Sequence, residues 1–152
     1  MTVPWLLAAL HLLALGIGLG AVMWRARSLR GELDKAGLQR VFLADTLWAV
    51  AAVLWIVTGL MRAFGGYEKG TDYYLGSDAF MLKMGLLVAI LALEIWPMIT
   101  LIKWRIAEKK GTLTDTSAAR AMSNISWVQA GLVVLMVFSA TAMARGLGMD
   151  IW

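Results

Sequence analysis

The chain has no cysteine, one histidine and two prolines among its 152 residues. Without cysteine it can form no disulfide, no thiolate metal site and no redox thiol. Charged residues are also scarce at 16%, whereas 61% of the residues are hydrophobic and the mean hydropathy is +0.74. Soluble domains average about 25% charged and about 45–50% apolar residues. The composition therefore indicates an integral membrane protein.

Four apolar stretches are long enough to cross a bilayer as helices, which takes about 20 residues each. They cover residues 4–24, 41–64, 80–104 and 122–144. The connections, about 16, 15 and 17 residues by this count, are too short to hold a separate domain. We predict a single all-α integral membrane domain over residues 1–152, folded as an up-and-down bundle of four transmembrane helices.

The basic residues predict the orientation of this bundle. Of the 14 lysines and arginines, five lie between Arg25 and Arg40 and five between Lys103 and Arg120. Short loops rich in lysine and arginine stay in the cytoplasm, so both termini should lie outside, on the periplasmic side. No basic residue precedes the first apolar stretch, which argues against a cleaved signal peptide. We expect a multi-pass protein of the bacterial inner membrane that contacts the lipid bilayer and does not bind nucleic acid.

One polar residue from each helix should lie in the outer half of the bundle: His11, Arg62, Lys83 and Arg145. Ionisable groups inside a membrane span are candidates for function, and imidazole is the commonest metal ligand among side chains. His11 would ligate a metal or haem, or would join two helices by a hydrogen bond. Lys83 would face the site or extend to the interface, and the arginines would hold carboxylates or form the rim.

A second set should gather nearer the cytoplasmic side: Asp45, Glu94, Asn124 and Gln129. Lys83 and Glu94 are eleven residues apart, about three helical turns, so both should point into the bundle from one face. Glu94 is either a structural carboxyl or a proton-relay group. Asp45 is expected to pair with Arg40 or a neighbour.

Two short motifs resemble the HemJ-type membrane protoporphyrinogen oxidases. They are Ala9-Leu10-His11-Leu12-Leu13 in the first span and Leu82-Lys83-Met84-Gly85-Leu86-Leu87 in the third. The wider group includes CopD-like copper-resistance membrane proteins. The resemblance implies four or so spans, haem b as cofactor, and a functional pair formed by His11 and Lys83.

Almost the whole chain also resembles a family of bacterial predicted membrane proteins of unknown function in the same superfamily. The stretches that carry this likeness are Gly59-Leu60-Met61-Arg62-Ala63-Phe64-Gly65-Gly66, Glu68-Lys69-Gly70, Glu94-Ile95-Trp96-Pro97-Met98 and Thr141-Ala142-Met143-Ala144-Arg145-Gly146.

The function we expect is haem b binding at an outward-facing site, with His11 as the axial metal ligand. Lys83, Arg62 and Arg145 would bind the rest of the cofactor. In an oxidoreductase that acts on a porphyrin or a quinone, Lys83 and Glu94 would be the catalytic residues. Two alternatives stay open: non-enzymatic binding or transport of copper or another small cation, through His11, Met61 or Met84, and a structural protein without a cofactor. A homo-oligomer is compatible with any of these.

Overall fold

A computed structural model describes residues 2–65 and 78–145 of the chain. This part contains four long helices and no strand: α1 (Thr2–Arg30), α2 (Lys35–Phe64), α3 (Asp78–Lys110) and α4 (Ala119–Ala144). All four are long and apolar enough to cross a membrane. The predicted all-α, four-helix membrane bundle is confirmed.

The helices extend well past the apolar stretches on which the prediction was based. Residues 31–34 alone connect α1 to α2, and residues 111–118 connect α3 to α4. The non-helical connections are therefore shorter than the roughly 16 and 17 residues that separate the predicted spans. The reason is that lysine, arginine and glutamate favour helix, so the hydrogen-bonded backbone continues where the hydropathy falls. These two connections lie at one end of the bundle, which we call the basic end because Arg27, Arg30, Lys109 and Lys110 occupy the adjoining helical turns.

The connection between α1 and α2 is a tight turn with a specific cap. The side chain of Asp34 accepts a hydrogen bond of 2.8 Å from the backbone N–H of Gly37, as N-cap residues do. A Cβ atom at Gly37 would lie 1.9 Å from the carbonyl oxygen of Glu32. Glycine is therefore required at this position, where the backbone of the connection lies against the first turn of α2.

The helices pack in the order α2, α1, α4, α3, so that α1 and α4 are central. The backbones of α2 and α3 are not packed directly against each other. One apolar cluster joins α1, α2, α3 and α4 in the middle of the bundle, and a second joins them at the basic end around Val41, Leu101 and Met122. The seam between α2 and α3 is therefore bridged by side chains rather than by close helix packing.

The outer surface of the bundle is strongly apolar. Large hydrophobic side chains such as Leu12, Val53, Val88 and Phe138 are more than half exposed. Of the four spans, α3 is the least enclosed, with 17% of its most apolar stretch buried against 33% for each of the others. Such a surface requires lipid around it, so this is a multi-pass membrane protein in contact with the bilayer.

Candidate functional site

A recess of about 150 Å³ lies between the helices and is partly open to the outside of the bundle, and we call it the central cavity. Residues from all four helices line it, among them Ala14 and Gly18 of α1, Asp45, Trp48, Ala52 and Trp55 of α2, Leu87 and Glu94 of α3, and Val133 and Met136 of α4. Most of its wall is apolar. The polar side chains on the wall are the two indoles and the two carboxylates, and these set its chemistry.

Small residues and two indoles create this space. Trp48 and Trp55 are seven residues apart on α2, so their side chains project from the same face two turns apart. Between them α2 presents Ala51 and Ala52, and α1 presents Gly18. A Cβ atom on Gly18 would lie 3.4 Å from the Cβ of Ala51, which is ordinary contact. Helices with such small residues approach closely, and the larger indoles above and below keep a gap open.

At the basic end of the cavity, the guanidinium of Arg25 is fully buried and bound through all five of its N–H groups. Its Nη1 donates to Asp45 Oδ1 at 2.8 Å and to Glu94 Oε1 at 2.7 Å. Its Nη2 donates to Glu94 Oε2 at 3.0 Å and to Gln129 Oε1 at 2.7 Å. Its Nε donates to Ser126 Oγ at 3.0 Å. One side chain of α1 thus connects all three other helices.

The carboxylates around Arg25 have further donors. Glu94 Oε2 accepts from Gln129 Nε2 at 2.8 Å and from the Trp48 indole at 3.2 Å. Asp45 Oδ2 accepts from Arg105 Nη2 at 3.1 Å. We call Arg25, Asp45, Glu94, Gln129 and Arg105 the charge hub. The two cations of the charge hub balance its two anions, so the wall of the cavity at the basic end is polar but carries no net charge.

Towards the opposite end, His11 is 5% exposed and is bound to α2. Its Nδ1 lies 2.9 Å from Thr58 Oγ1, and that hydroxyl donates its only hydrogen to the carbonyl oxygen of Leu54 at 2.7 Å. With the hydroxyl hydrogen directed at this carbonyl, Nδ1 acts as the donor to Thr58 Oγ1.

The ring of His11 also stacks on Trp55, with centroids 4.9 Å apart and planes 20° apart. The ammonium of Lys83 lies 5.1 Å from the centroid of the same indole, within the range of a cation–π contact. On the α2 side, a Cβ atom at Gly59 would lie 3.0 Å from His11 Cε1. Trp55 therefore separates the central cavity from a cluster of His11, Thr58 and Lys83, which we call the histidine cluster.

The family model described as "Predicted membrane protein (DUF2214)" matches residues 3–148, nearly the whole chain. The chain belongs to the DUF2214 family. No curated protein and no solved structure matches it. The resemblance of this DUF2214 protein to HemJ-type and CopD-like proteins therefore stays a prediction.

The structure brings together some of the predicted site residues of the DUF2214 chain. His11 and Lys83 meet around Trp55, and Glu94 and Gln129 meet at Arg25, so both predicted groupings are confirmed for these pairs. Lys83 and Glu94 both point into the bundle, as their spacing predicts. Asp45 was expected to pair with Arg40 or a neighbour, and its partners are Arg25 and Arg105 instead of Arg40. Asn124 contacts Arg30 at the basic end, outside the charge hub.

The two arginines that were expected to hold carboxylates or form the rim occupy different surroundings. Arg62 is half-buried on α2, one turn beyond Thr58, whereas Arg145 follows the last turn of α4 and is exposed. The motif Glu68-Lys69-Gly70 lies outside the described residues. Within residues 2–65 and 78–145, no three His, Asp or Glu side chains group in a way that could hold a metal ion.

The sequence interpretation missed Arg25, Trp48 and Trp55. Arg25 was counted among the basic loop residues because it is the first charge after the first apolar stretch. A signal was present, since His11, Gly18 and Arg25 are spaced by seven residues and share one helix face. Trp48 and Trp55 show the same spacing. Because both indoles lie within apolar runs, hydropathy alone gave no reason to single them out.

Proposed function

We propose that this protein binds a small, largely apolar molecule from the bilayer in the central cavity. The observation that carries this proposal is the cavity itself, about 150 Å³ in volume and lined by all four helices. Ligand sites are typically apolar recesses with a few polar groups that fix orientation. Binding alone does not require catalysis, so the roles of Lys83 and Glu94 as catalytic residues stay predictions.

The chemistry of the lining favours a neutral ligand. Asp45 and Glu94 reach the cavity, but Arg25 and Arg105 neutralise them and occupy their oxygens. A cation would have to displace these donors, and an anion would meet two carboxylates. An apolar molecule gains from the indoles and aliphatic side chains without disturbing the charge hub.

Filling the cavity should abolish binding. We expect p-xylene, a single ring without polar atoms, to bind the protein in lipid nanodiscs above the background of empty nanodiscs. Ala52→Phe places a ring in the cavity and should lower the affinity at least tenfold. Val53→Phe is the matched control, because Val53 is 60% exposed on the outer surface. Isothermal titration calorimetry measures both, and equal affinities for the two variants would refute the proposal.

Haem b, the cofactor implied by the HemJ resemblance, is favoured by one feature of His11. A histidine that donates from Nδ1 keeps the Nε2 lone pair that an axial ligand needs. The surroundings do not fit the macrocycle, however. The imidazole ring of His11 is almost fully buried and stacks on Trp55. His11 does not line the central cavity. That cavity also has only half the volume of the smallest common ligand pockets, which is about 300 Å³.

The absorption spectrum tests this mismatch directly. We expect protein purified from haem-rich cells to show no Soret band in proportion to protein. A stoichiometric Soret band that is lost in His11→Ala would establish the haem function and displace the proposal made here. Bound copper without a Soret band, lost on substitution of His11, Met61 or Met84, would instead support the cation-binding alternative.

We also propose that the basic end faces the cytoplasm and that the protein lies in the bacterial inner membrane. The support is the lysine and arginine content of the helical turns at that end, since such residues are retained on the cytoplasmic side.

A further inference from the structure

One polar group on the wall of the central cavity has no acceptor among the described residues. Trp55 lines the cavity and is 9% exposed, and its indole Nε1–H makes no hydrogen bond to residues 2–65 or 78–145. The other indole on this wall, Trp48, donates to Glu94. Since buried donors in native proteins are nearly always paired, Trp55 requires a hydrogen-bond acceptor that the described residues do not supply.

The size of the cavity limits the group that can supply this acceptor. A cavity of about 150 Å³ in an apolar protein core accommodates a benzene ring, and the central cavity has about this volume. Two indoles bound it along α2, and aromatic faces pack well against a planar ring in offset or edge arrangements. A single planar six-membered ring therefore fits the space, whereas a fused or larger ring system does not.

The seam between α2 and α3 gives such a ring a route from the lipid. At the basic end the two helices are bridged by Trp48 and Glu94. Towards the opposite end they are bridged by Lys83 on Trp55, and beyond it Phe64 and Phe80 meet edge to face at 6.1 Å. Between these bridges the facing side chains include Ile56 and Leu87, which line the cavity and are aliphatic. An apolar tail attached to the ring could lie in this seam and continue into the bilayer.

We propose that the ligand is a quinone-class molecule: one ring with carbonyl oxygens and an apolar tail. A ring carbonyl accepts the hydrogen bond of Trp55 Nε1–H, the ring lies between the two indoles, and the tail leaves between α2 and α3. This inference rests on the proposed function and specifies its ligand. No electron transfer is part of it.

The test compares two probes that share a six-membered ring with two methyl groups: 2,5-dimethyl-1,4-benzoquinone, which carries two carbonyl oxygens, and p-xylene, which carries none. Each is titrated into the wild-type protein and into Trp55→Phe in nanodiscs. A neutral hydrogen bond contributes about 0.5–1.5 kcal/mol, so the variant should bind the quinone about 2- to 10-fold more weakly. Its affinity for p-xylene should change by less than the quinone affinity, because only the quinone loses an acceptor bond.

The outcomes separate this inference from the proposed function. If Trp55→Phe weakens both probes equally, the carbonyl assignment is overturned while cavity binding stands. If neither probe binds the wild-type protein, both are overturned. Should Trp55→Phe fail to fold, infrared spectra of the quinone bound to the wild-type protein decide. A carbonyl stretch lowered relative to the quinone in empty nanodiscs supports the hydrogen bond, and an unchanged frequency refutes it.

Discussion

At the scale of single residues, the distinctive feature of this chain is a charged side chain that is more buried than most of its leucines. Arg25 is fully buried, yet its planar guanidinium meets five oxygen acceptors from α2, α3 and α4. Arginine suits this place better than lysine, because its five donors are fixed in one plane and can bind a carboxylate in bidentate fashion. The Arg25 side chain therefore connects the four helices at the basic end of the bundle.

Replacing Arg25 should destabilise the protein strongly. Arg25→Met keeps an unbranched stem but leaves Asp45 and Glu94 side by side with only part of their donors. Breaking a buried ion pair by removing one partner costs about 3–5 kcal/mol. The thermal unfolding midpoint in nanodiscs should fall accordingly. Arg27→Met is the control, because Arg27 is exposed. Equal midpoints for the two variants would show that the charge hub contributes nothing to stability.

At the scale of helices, two of the helices extend beyond their apolar stretches at the basic end. The apolar stretches end near residues 24 and 104, whereas α1 continues to Arg30 and α3 to Lys110. The final turns carry cations, which complement the partial negative charge at helix C-termini. The connection from α1 to α2 is consequently only four residues long, and its geometry depends on two residues, Asp34 and Gly37.

A pair of glycines on either side of this turn tests its geometry. In Gly37→Ala the new methyl would overlap the carbonyl oxygen of Glu32, at 1.9 Å, so backbone must shift. Forced overpacking of this kind costs about 1–3 kcal/mol. In Gly31→Ala the nearest atom is 3.5 Å away, and the change should stay within about 0.5 kcal/mol. Thermal unfolding of both variants checks this, and a tolerated Gly37→Ala would contradict the described turn.

At the scale of the whole molecule, charge and apolar surface are arranged asymmetrically. The basic residues concentrate at one end of the bundle, while the sides are covered by exposed hydrophobic side chains. Inside, the cavity and the histidine cluster lie one above the other along α1 and α2, with Trp55 between them. This arrangement allows a bilayer-dissolved ligand to enter from the side, independently of either aqueous phase.

The proposed orientation is testable because the chain has no natural cysteine. In intact bacterial cells, a membrane-impermeant maleimide should label Thr2→Cys at the end opposite the basic end. Glu32→Cys, in the connection between α1 and α2, should react only after the cells are permeabilised. Both positions are exposed, so accessibility to the reagent depends on the side of the membrane. The reverse labelling pattern would invert the proposed topology.

The sequence by itself determined the number of helices, their membrane location and the existence of two groups of polar residues at different depths in the bundle. These follow from hydropathy and helical periodicity, which are local properties of the chain. The meeting of His11 with Lys83 could also be predicted, because depth in a span follows from position along it. Helix ends could not, since charged residues that lower hydropathy still favour helix.

Only the tertiary structure decided which polar groups are partners. Arg25 resembled a loop cation until the packing of α1 between α2 and α4 directed it at two carboxylates. The central cavity likewise exists because α2 and α3 are not closely packed, and no single stretch of sequence encodes a gap between two helices. Side-chain pairing and the central cavity each depend on several helices at once, so they form only when the bundle is assembled.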